Sequence, residues 1–499
     1  MKLFKNIVVV GLALLGSSQL MTSCSEDFLE TTSSVDVSDV FILSSLDNMY
    51  LAVNGILAEM VSQSSGSQAL GGLPAFGVYT DIMGDDIIWQ SSTTYKSTAL
   101  SWTSHIDETS FYPGAFWSLY YQWILNANKI LEGLESVEVT DQDLFNQVKG
   151  ECLAIRGWAH FCLVQLFADR YDATISDNSQ EGIIYRTSSI ACEQARATVE
   201  ECYTYIKADL DESVVLLDGL DILVSHYSEK VVWGLKARVA MAMQDYTNAA
   251  TYAKNAIDTA EAEGLALMEG DELYCGFADI TTDTDEAMYS DITPDEATVY
   301  YYSFYAYMSW NYYSTAIRSG VKAINADTYD TMSETDLRRA WWDPTGEAEV
   351  PSTSYNKIAY QNRKFEARST GSAVGNVAFM RLAEMYLTYA EALCRGGKDA
   401  DAQTAFTAFQ VTRDPSYVSK GNTGDALSEE IMNSRRVELW GEGFRFQDLK
   451  RINNGLERGR NFDVAFCTFR TKDADIPEWT WQIPDDETYY NTLCTKNYY

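Results

Sequence analysis

The chain has 499 residues and a formal net charge of −35, from 37 Lys and Arg against 72 Asp and Glu. A negative field of this size repels phosphate backbones and anionic lipid headgroups, so nucleic acid and anionic lipids are poor partners for the protein. With 46% apolar residues, the chain can bury a large core as one helical domain or as two interlocked lobes.

The first 23 residues are typical of a signal peptide. Lys2 and Lys5 give a basic start, and the apolar run 7–15 that follows is too short to span a bilayer. Residues 20–24 resemble a lipobox, in which a cysteine is acylated after cleavage. We therefore predict that Cys24 carries a lipid anchor that holds the protein on a membrane without spanning it. The alternative is an ordinary signal peptide with a chance cysteine nearby.

Amphipathic helices dominate the rest of the chain. Residues 229–263 predict two helices whose alanines permit close packing, which is typical of a tetratricopeptide hairpin. Residues 381–412 show the same helix, glycine turn and small-residue helix. Apolar residues also recur at helical spacing in four further stretches: 46–60, 117–131, 152–166 and 199–217.

Two stretches lack a helical period, 74–113 and 270–378, and we expect both to be loop excursions from the helices. Four acidic residues between Asp279 and Glu286 lack the glycine of an EF-hand, which favours a solvated loop over a calcium site. The aromatic run 300–313 alternates enough to predict a strand or hairpin edge. The alternative is that half of its rings belong to the core.

These elements predict an all-α dominated fold, a tetratricopeptide-like scaffold of helical pairs with large loop-rich insertions and minor β hairpins. The predicted organisation is a signal peptide at 1–23, a lipidated tether at 24–40 and one domain at 41–499, with the helical scaffold near 41–73, 114–268 and 379–451 and the excursions near 74–113 and 270–378.

No pattern in the chain predicts catalysis. Motifs typical of serine hydrolases, zinc proteases and nucleotide-binding loops are absent from the sequence, and there is no Cys-x-x-Cys pair. We therefore predict no catalytic residue, no metal and no cofactor. His160 lies in an apolar helix and is expected to be a core residue. The eight cysteines after Cys24 permit disulfides, although buried free thiols are the favoured interpretation.

Several sequence blocks, in this order, resemble the SusD/RagB family of outer-membrane lipoproteins. Ala168 or Asp169 stands where the family has glycine, and the usual proline after Tyr171 is absent. The blocks are Cys24 with Phe28-Leu29-Glu30, then 117–134 with its Asn126-Ala127-Asn128, 150–171, 195–213, 229–263, 381–393, 433–451 and 479–491.

The resemblance implies a cell-surface protein that sits over a TonB-dependent transporter of the SusC type and delivers nutrients to it. It also implies four tetratricopeptide-like units, with the ligand site on loops between their helices. Most members bind glycans and some bind peptides. A tetratricopeptide-type lipoprotein that assembles envelope complexes and a helical carbohydrate-active enzyme remain as alternatives.

Within this resemblance, the charged residues near the C-terminus fit either an internal ion-pair network or a surface that faces the transporter. They are Arg435, Arg436, Glu438, Glu442, Arg445 and Asp448.

A glycan ligand needs flat rings that cover the apolar face of a sugar, with polar groups beside them. The excursions supply such residues, and we expect Trp102 and Trp310 to be the main platforms. For each tryptophan, burial in the core is the alternative. The candidate ligand residues are Asp86, Trp89, Tyr95 and Trp102 from the first excursion, and Trp310, Tyr312, Trp341 and Trp342 from the second.

Overall fold

The computed structural model describes residues 41–62, 71–89, 97–291 and 303–497. Predictions for the signal peptide, Cys24 and the tether therefore lie outside the described residues. Eleven longer helices are α1 Leu46–Val61, α2 Gly72–Met83, α3 Phe111–Leu134, α4 Gln142–Phe167, α5 Val199–Leu217, α6 Glu229–Ala242, α7 Tyr246–Ala262, α8 Leu382–Arg395, α9 Asp399–Arg413, α10 Gly424–Glu438 and α11 Arg445–Arg451.

Shorter helical turns occur between these helices and towards the C-terminus. They are Ser97–Leu100, Gly270–Tyr274, Ile280–Asp283, Phe304–Met308, Thr315–Arg318, Ala326–Tyr329, Leu337–Trp341, Val464–Cys467, Pro477–Trp479 and Asp485–Tyr490. In the described parts of the chain, no helix is both long and apolar enough to cross a bilayer.

Eight of the longer helices stack in sequence as helical pairs. Helices α1 and α3 pack on α4, α4 packs on α5, α6 packs on α7, and α7 packs on α8, which pairs with α9. The buried face of α7 carries Ala249, Ala253 and Ala256, which are 0% exposed and let the backbones approach closely. The predicted helical-pair scaffold is confirmed, and the predicted glycine turn between α8 and α9 is present, with Gly397 at a positive φ of 76°.

The first excursion contains a helix that the sequence analysis missed. Helix α2 occupies residues that were expected to be loop, and α3 begins at Phe111, earlier than predicted. All residues of α2 except Gly77 are buried. A helix that is apolar on every side has no polar face, so it shows no amphipathic period in the sequence.

Three small antiparallel sheets join distant parts of the chain. In the largest, β1 from the first excursion pairs with β3 from the second, with Ile87 opposite Ile324. The two excursions therefore form one packed lobe. The strands are β1 Ile87–Trp89, β2 Ala287–Ser290, β3 Lys322–Ile324, β4 Trp342–Asp343, β5 Gln361–Asn362, β6 Ala378–Arg381, β7 Leu456–Glu457 and β8 Thr471–Lys472, in the orders β1-β3-β5-β4, β2-β6 and β7-β8.

The aromatic run 300–313 is not a strand where the structure describes it. Residues Phe304–Met308 form a buried helical turn instead, capped by the side chain of Ser303. Residues 300–302 lie outside the described residues. The alternative, that half of the rings are core, matches Phe304, Tyr305 and Tyr307, whose side chains are buried.

An ion-pair network lies inside the protein, where the scaffold meets the lobe. The Glu438 carboxylate is 0% exposed and lies 3.3 Å from Arg338, 3.1 Å from Arg381 and 3.0 Å from Arg413. Glu442 extends the network, at 2.8 Å from Arg381. This arrangement confirms the internal network that the sequence offered as one of two possibilities.

A second group of ion pairs holds α11 in place. Burial by itself raises the pKa of Asp448, but the guanidinium groups of Arg435 and Arg451, each 2.8 Å away, outweigh it and lower the pKa to about 2. In the same way, Arg445, at 2.6 Å, and Arg436 outweigh burial and lower the pKa of Asp85 to about 2.

We expect the free energy of unfolding to fall in acid. Asp448 and Asp85 have lower pKa values in the folded protein than the usual value of about 3.9 in an unfolded chain, so the unfolded chain binds protons first as the pH falls. The stabilisation from both groups is present above about pH 4 and is lost as the pH falls towards about 2. Urea unfolding midpoints measured below about pH 4 should therefore decrease steadily.

Asp81 has the opposite effect on the pH dependence of stability, so the acid-induced loss must be measured below about pH 4, where the contribution of Asp81 no longer changes. Burial raises its pKa to about 7, although it accepts main-chain hydrogen bonds from Gly443 and Arg445. Its contribution to stability therefore grows as the pH falls from about 7 to about 4. The variant Asp448→Asn should show a smaller acid-dependent decrease than the wild type, and an equal decrease would contradict the assignment.

The described cysteines are free, in agreement with the interpretation as thiols. Five of the eight are buried. His160 is 0% exposed, and its Nδ1 lies 2.8 Å from the Arg156 carbonyl oxygen while Nε2 accepts the main-chain N–H of Arg186 at 3.1 Å. Burial lowers its pKa to about 3. His160 is therefore the core residue that the sequence predicted.

Candidate functional site

Most of the predicted ligand residues are buried in the structure. Trp102 is 2% exposed, its indole N–H donates to the Met83 carbonyl oxygen at 2.8 Å, and its ring packs edge-on against Trp479 at 4.8 Å between centroids. The indole N–H of Trp341 likewise donates to the Leu273 carbonyl oxygen at 2.6 Å. The residues with exposed fractions between 1% and 4% are Asp86, Trp89, Trp102, Tyr312, Trp341 and Trp342.

These six side chains present no open face to a sugar, which corrects the expectation of exposed platforms at these positions. Asp86 is occupied within the fold, since its carboxylate lies 2.7 Å from Arg436 and accepts the Thr328 hydroxyl at 3.1 Å. The tryptophans match the burial alternative. Tyr95 lies outside the described residues, so its predicted role stays a prediction.

Trp310 differs from the other described candidates because its ring is partly exposed. It follows the helical turn Phe304–Met308, and its main-chain N–H donates to the Phe365 carbonyl oxygen at 3.0 Å. The guanidinium carbon of Arg363 lies 4.3 Å from the centre of the indole ring. The backbone is thus fixed by the lobe, while the ring and a cationic group face each other at the surface.

A second ring and a second arginine lie next to Trp310. Tyr313 is 56% exposed, and the guanidinium carbon of Arg318 lies 4.1 Å from the centre of its ring. Tyr355 joins the two halves, because its ring centre is 6.3 Å from that of Tyr313 and it lines a small depression with Trp310 and Arg363. We call these five residues the Trp310 site.

The arginines of the Trp310 site have unused hydrogen-bond donors. Within the described residues, Nε and Nη2 of Arg363 and Nε of Arg318 are covered from solvent and have no acceptor. Burial lowers the pKa of Arg363 despite the charges of Asp343 and Glu366 nearby. Rings with adjacent unpaired N–H groups are the combination that stacks on a sugar and hydrogen-bonds to its oxygens.

Two other depressions differ from the Trp310 site. One holds about 180 Å³ between α2, α4, α6 and α11, and its lining includes aromatic side chains such as Phe76, Trp158 and Phe444. The other holds about 540 Å³ beside α9 and α10, and its lining includes the carboxylates of Asp414 and Glu430. Of the described arginines in these linings, Arg238, Arg435, Arg451 and Arg338 are all ion-paired with carboxylates.

Of the five residues of the Trp310 site, only Trp310 was predicted from the sequence. Tyr313 was included in the aromatic run but was not selected, and Arg318, Tyr355 and Arg363 were not considered. A usable signal existed for the arginines, because cationic residues close to aromatic residues in the excursions of a strongly acidic chain are candidates for ligand contact. Tyr355 and Arg363 are distant in sequence from Trp310, and only the fold of the second excursion brings them to it.

The fold and the site together define a class of protein. A stack of helical pairs supports a lobe of loops and small sheets, and the lobe presents aromatic rings with polar groups beside them. This arrangement is typical of a scaffold that carries a binding surface, and the described residues contain no group of three or more His, Cys, Asp or Glu side chains that could hold a metal ion.

Comparison with known proteins identifies the family. Residues 27–241 match a family model described as starch-binding and associating with the outer membrane, and residues 242–499 match the SusD family model. The chain belongs to the SusD family, whose members are non-catalytic, glycan-binding proteins associated with the outer membrane. It is therefore not a carbohydrate-active enzyme.

Individual relatives are similar to this chain at low sequence identity. A SusD-like protein of Formosa agariphila is 22% identical over 385 residues, which cover 68% of this chain and 72% of the relative. A structure described as a putative sugar binding protein from Bacteroides vulgatus is 24% identical, with a TM-score of 0.77, and covers 91% of this chain and 98% of its own. A SusD-like carbohydrate binding protein from the same species is 22% identical, with a TM-score of 0.76, and covers 90% and 97%.

Proposed function

We propose that this protein binds a glycan nutrient at the Trp310 site and passes it to a TonB-dependent transporter of the SusC type. The observation that carries the proposal is the pairing of exposed or partly exposed rings with guanidinium groups at Trp310 and Tyr313. A sugar ring stacks on such a face through its C–H groups, and the N–H groups supply hydrogen bonds to its oxygens.

The place of the Trp310 site in the fold supports this function. Its residues lie on the lobe formed by the two excursions, whereas the helical pairs supply the rigid base. A binding surface on loops over a rigid scaffold leaves the helices free to contact a transporter. An acylated Cys24 would keep the protein at the outer membrane beside that partner.

Loss of the stacking rings should weaken glycan binding. We expect Trp310→Ala and Tyr313→Ala each to raise the Kd by roughly tenfold, equivalent to about 1.4 kcal/mol of lost binding free energy. The measurement is isothermal titration calorimetry with the oligosaccharide found by screening neutral and acidic glycans and peptides against the chain that starts after Cys24.

A matched control for these variants is Tyr489→Ala. Tyr489 is 76% exposed and belongs to the C-terminal turn Asp485–Tyr490, which contributes no residue to the Trp310 site, so its removal should leave the Kd unchanged. Wild-type affinity in both Trp310→Ala and Tyr313→Ala would refute the site. Binding of peptides and of no glycan in the screen would refute the ligand class.

The partnership with the transporter needs a separate test. Purification of this protein from its native outer membrane in mild detergent should bring a TonB-dependent transporter with it. Recovery of the protein alone under conditions that preserve other outer-membrane complexes would contradict the partnership, without affecting the assignment of the glycan site.

A further inference from the structure

We propose that the ligand of the Trp310 site is an anionic glycan, one whose sugars carry carboxylate or sulfate groups. This inference rests on the proposed glycan-binding function and deepens it by naming the ligand class. It is carried by the two arginines of the site, Arg318 and Arg363, and by the absence of any anionic partner for them among the described residues.

The guanidinium groups of the other described arginines have hydrogen-bond acceptors or carboxylate partners. Most of them lie within ion-pair distance of a carboxylate, as Arg156 does with Asp209 at 2.5 Å. The described arginines without an ion pair mostly donate instead to main-chain carbonyl oxygens, and these are Arg186, Arg458 and Arg470.

Arg318 and Arg363 depart from this pattern. Neither guanidinium group forms an ion pair or donates a hydrogen bond to any described residue. In a chain with a net charge of −35, carboxylates are abundant, so two arginines of one site without an ion pair are conspicuous. Covered N–H groups without acceptors cost free energy, and an anionic ligand that supplies the acceptors recovers it.

The unpaired edge of Arg363 has the geometry that recognises an anion. Its Nε and Nη2 lie on the same edge of the guanidinium group, and both lack an acceptor. Elsewhere in this protein the same two atoms hold a carboxylate in a two-point contact, in Arg156 with Asp209 and in Arg238 with Glu384. Carboxylates and sulfates present pairs of oxygens at a spacing that matches this edge.

The other charged groups near Arg363 leave it available. Asp343 is engaged within the lobe, because its carboxylate accepts from the Ala348 main chain at 2.8 Å and from the Gln361 amide at 2.9 Å. Glu366 is exposed, and its carboxylate accepts a long hydrogen bond of 3.5 Å from the Asn311 amide. Lys322 lines the same depression and adds a further positive charge.

The arginine edge is covered in the free protein, so a ligand must displace a side chain to reach it. Trp310 packs against Arg363, with 4.3 Å between its ring centre and the guanidinium carbon, and its ring is partly exposed, so it is the candidate for this movement. The same ring then covers the sugar. Arg363 would then bind the anionic group of the glycan, while the adjacent Trp310 stacks on its sugar ring.

The test compares glycans that differ only in charge. Calorimetric titrations use polygalacturonate oligosaccharides, their methyl esters, and a matched pair of sulfated and desulfated galactans. We expect one anionic member to bind and its neutral counterpart to bind roughly tenfold more weakly or worse. Comparison of the polygalacturonate pair with the galactan pair shows whether the site binds a carboxylate or a sulfate group.

The variant Arg363→Gln should lower the affinity for the anionic glycan by roughly tenfold or more and bring it close to that for the neutral counterpart. Arg460→Gln is the matched control, because Arg460 is exposed and pairs with Asp330 at 2.5 Å outside the site. Its affinity should equal that of the wild type.

The outcomes separate this inference from the proposed function. Equal binding of charged and neutral glycans, or binding that Trp310→Ala abolishes and Arg363→Gln leaves unchanged, overturns the anionic class while the glycan site stands. Failure of every glycan to bind to a folded protein overturns both.

Discussion

Replacing Glu438 with glutamine is expected to lower the free energy of unfolding by about 3–5 kcal/mol, because it removes the negative charge at the centre of a buried network. Glu438 is 0% exposed and lies close to three guanidinium groups, those of Arg338, Arg381 and Arg413. Loss of the Glu438 charge leaves the positive charges of these buried arginines incompletely balanced by carboxylates and out of contact with water.

The substitution Glu438→Gln should destabilise the lobe as much as it destabilises helix α10, which contains Glu438. Arg381 and Glu286 join β6 and β2 to this network, and Arg338 belongs to the second excursion. Urea unfolding followed by circular dichroism measures the loss. Because the partners come from separate parts of the chain, we expect one cooperative transition at a lower urea concentration, with no separate unfolding of the lobe.

A matched control exists in the same helix. Glu429 belongs to α10, is exposed and forms no ion pair with a described residue, so Glu429→Gln should change the free energy of unfolding by about 0.5 kcal/mol or less. Equal and small effects of the two substitutions would show that the Glu438 charge is not needed, against the role assigned to the network.

Removing the Trp440 side chain is expected to cost about 3–5 kcal/mol of stability. Trp440 is 2% exposed, and it contacts the lobe through a stacked Phe365 at 6.2 Å and an edge-on Trp342 at 5.9 Å between ring centres. Its indole N–H donates to the Asp86 carbonyl oxygen at 3.0 Å. Trp440→Ala leaves a cavity where both excursions meet the C-terminal region.

Trp310→Ala provides the contrast for this prediction. Its ring is partly exposed, so its removal should change stability by about 1 kcal/mol or less while it weakens glycan binding. Thermal unfolding and calorimetry on the two variants separate the roles. A stable Trp440→Ala protein would contradict the packing of the lobe described here.

Helices with one buried face were predictable from the sequence, and a fully buried helix was not. Helices α5 and α7 bury one side and leave polar residues exposed on the other, so the period marks them. Helix α2 has no polar face, so its period disappears. The same reasoning explains why Phe304–Met308, whose residues are all buried, was interpreted as a strand.

The candidate site was predictable only in part, because the exposure of an aromatic ring depends on residues far away in the chain. Trp102 is buried by Phe446 and Trp479, which lie in the C-terminal region. Trp310 has similar local sequence surroundings but remains partly exposed. Tyr355 reaches Tyr313 through the fold of the second excursion and not through sequence proximity.

The acidic charge, the paired amphipathic helices and the blocks that indicate the SusD family can be recognised in the amino-acid sequence, because composition and helical period are local properties of the chain. The tertiary structure decided which rings face solvent, which carboxylate each arginine meets, and that Arg318 and Arg363 meet none among the described residues. These features depend on contacts between segments that are distant in sequence, since the neighbours of a side chain are set only when the helices and the lobe pack together.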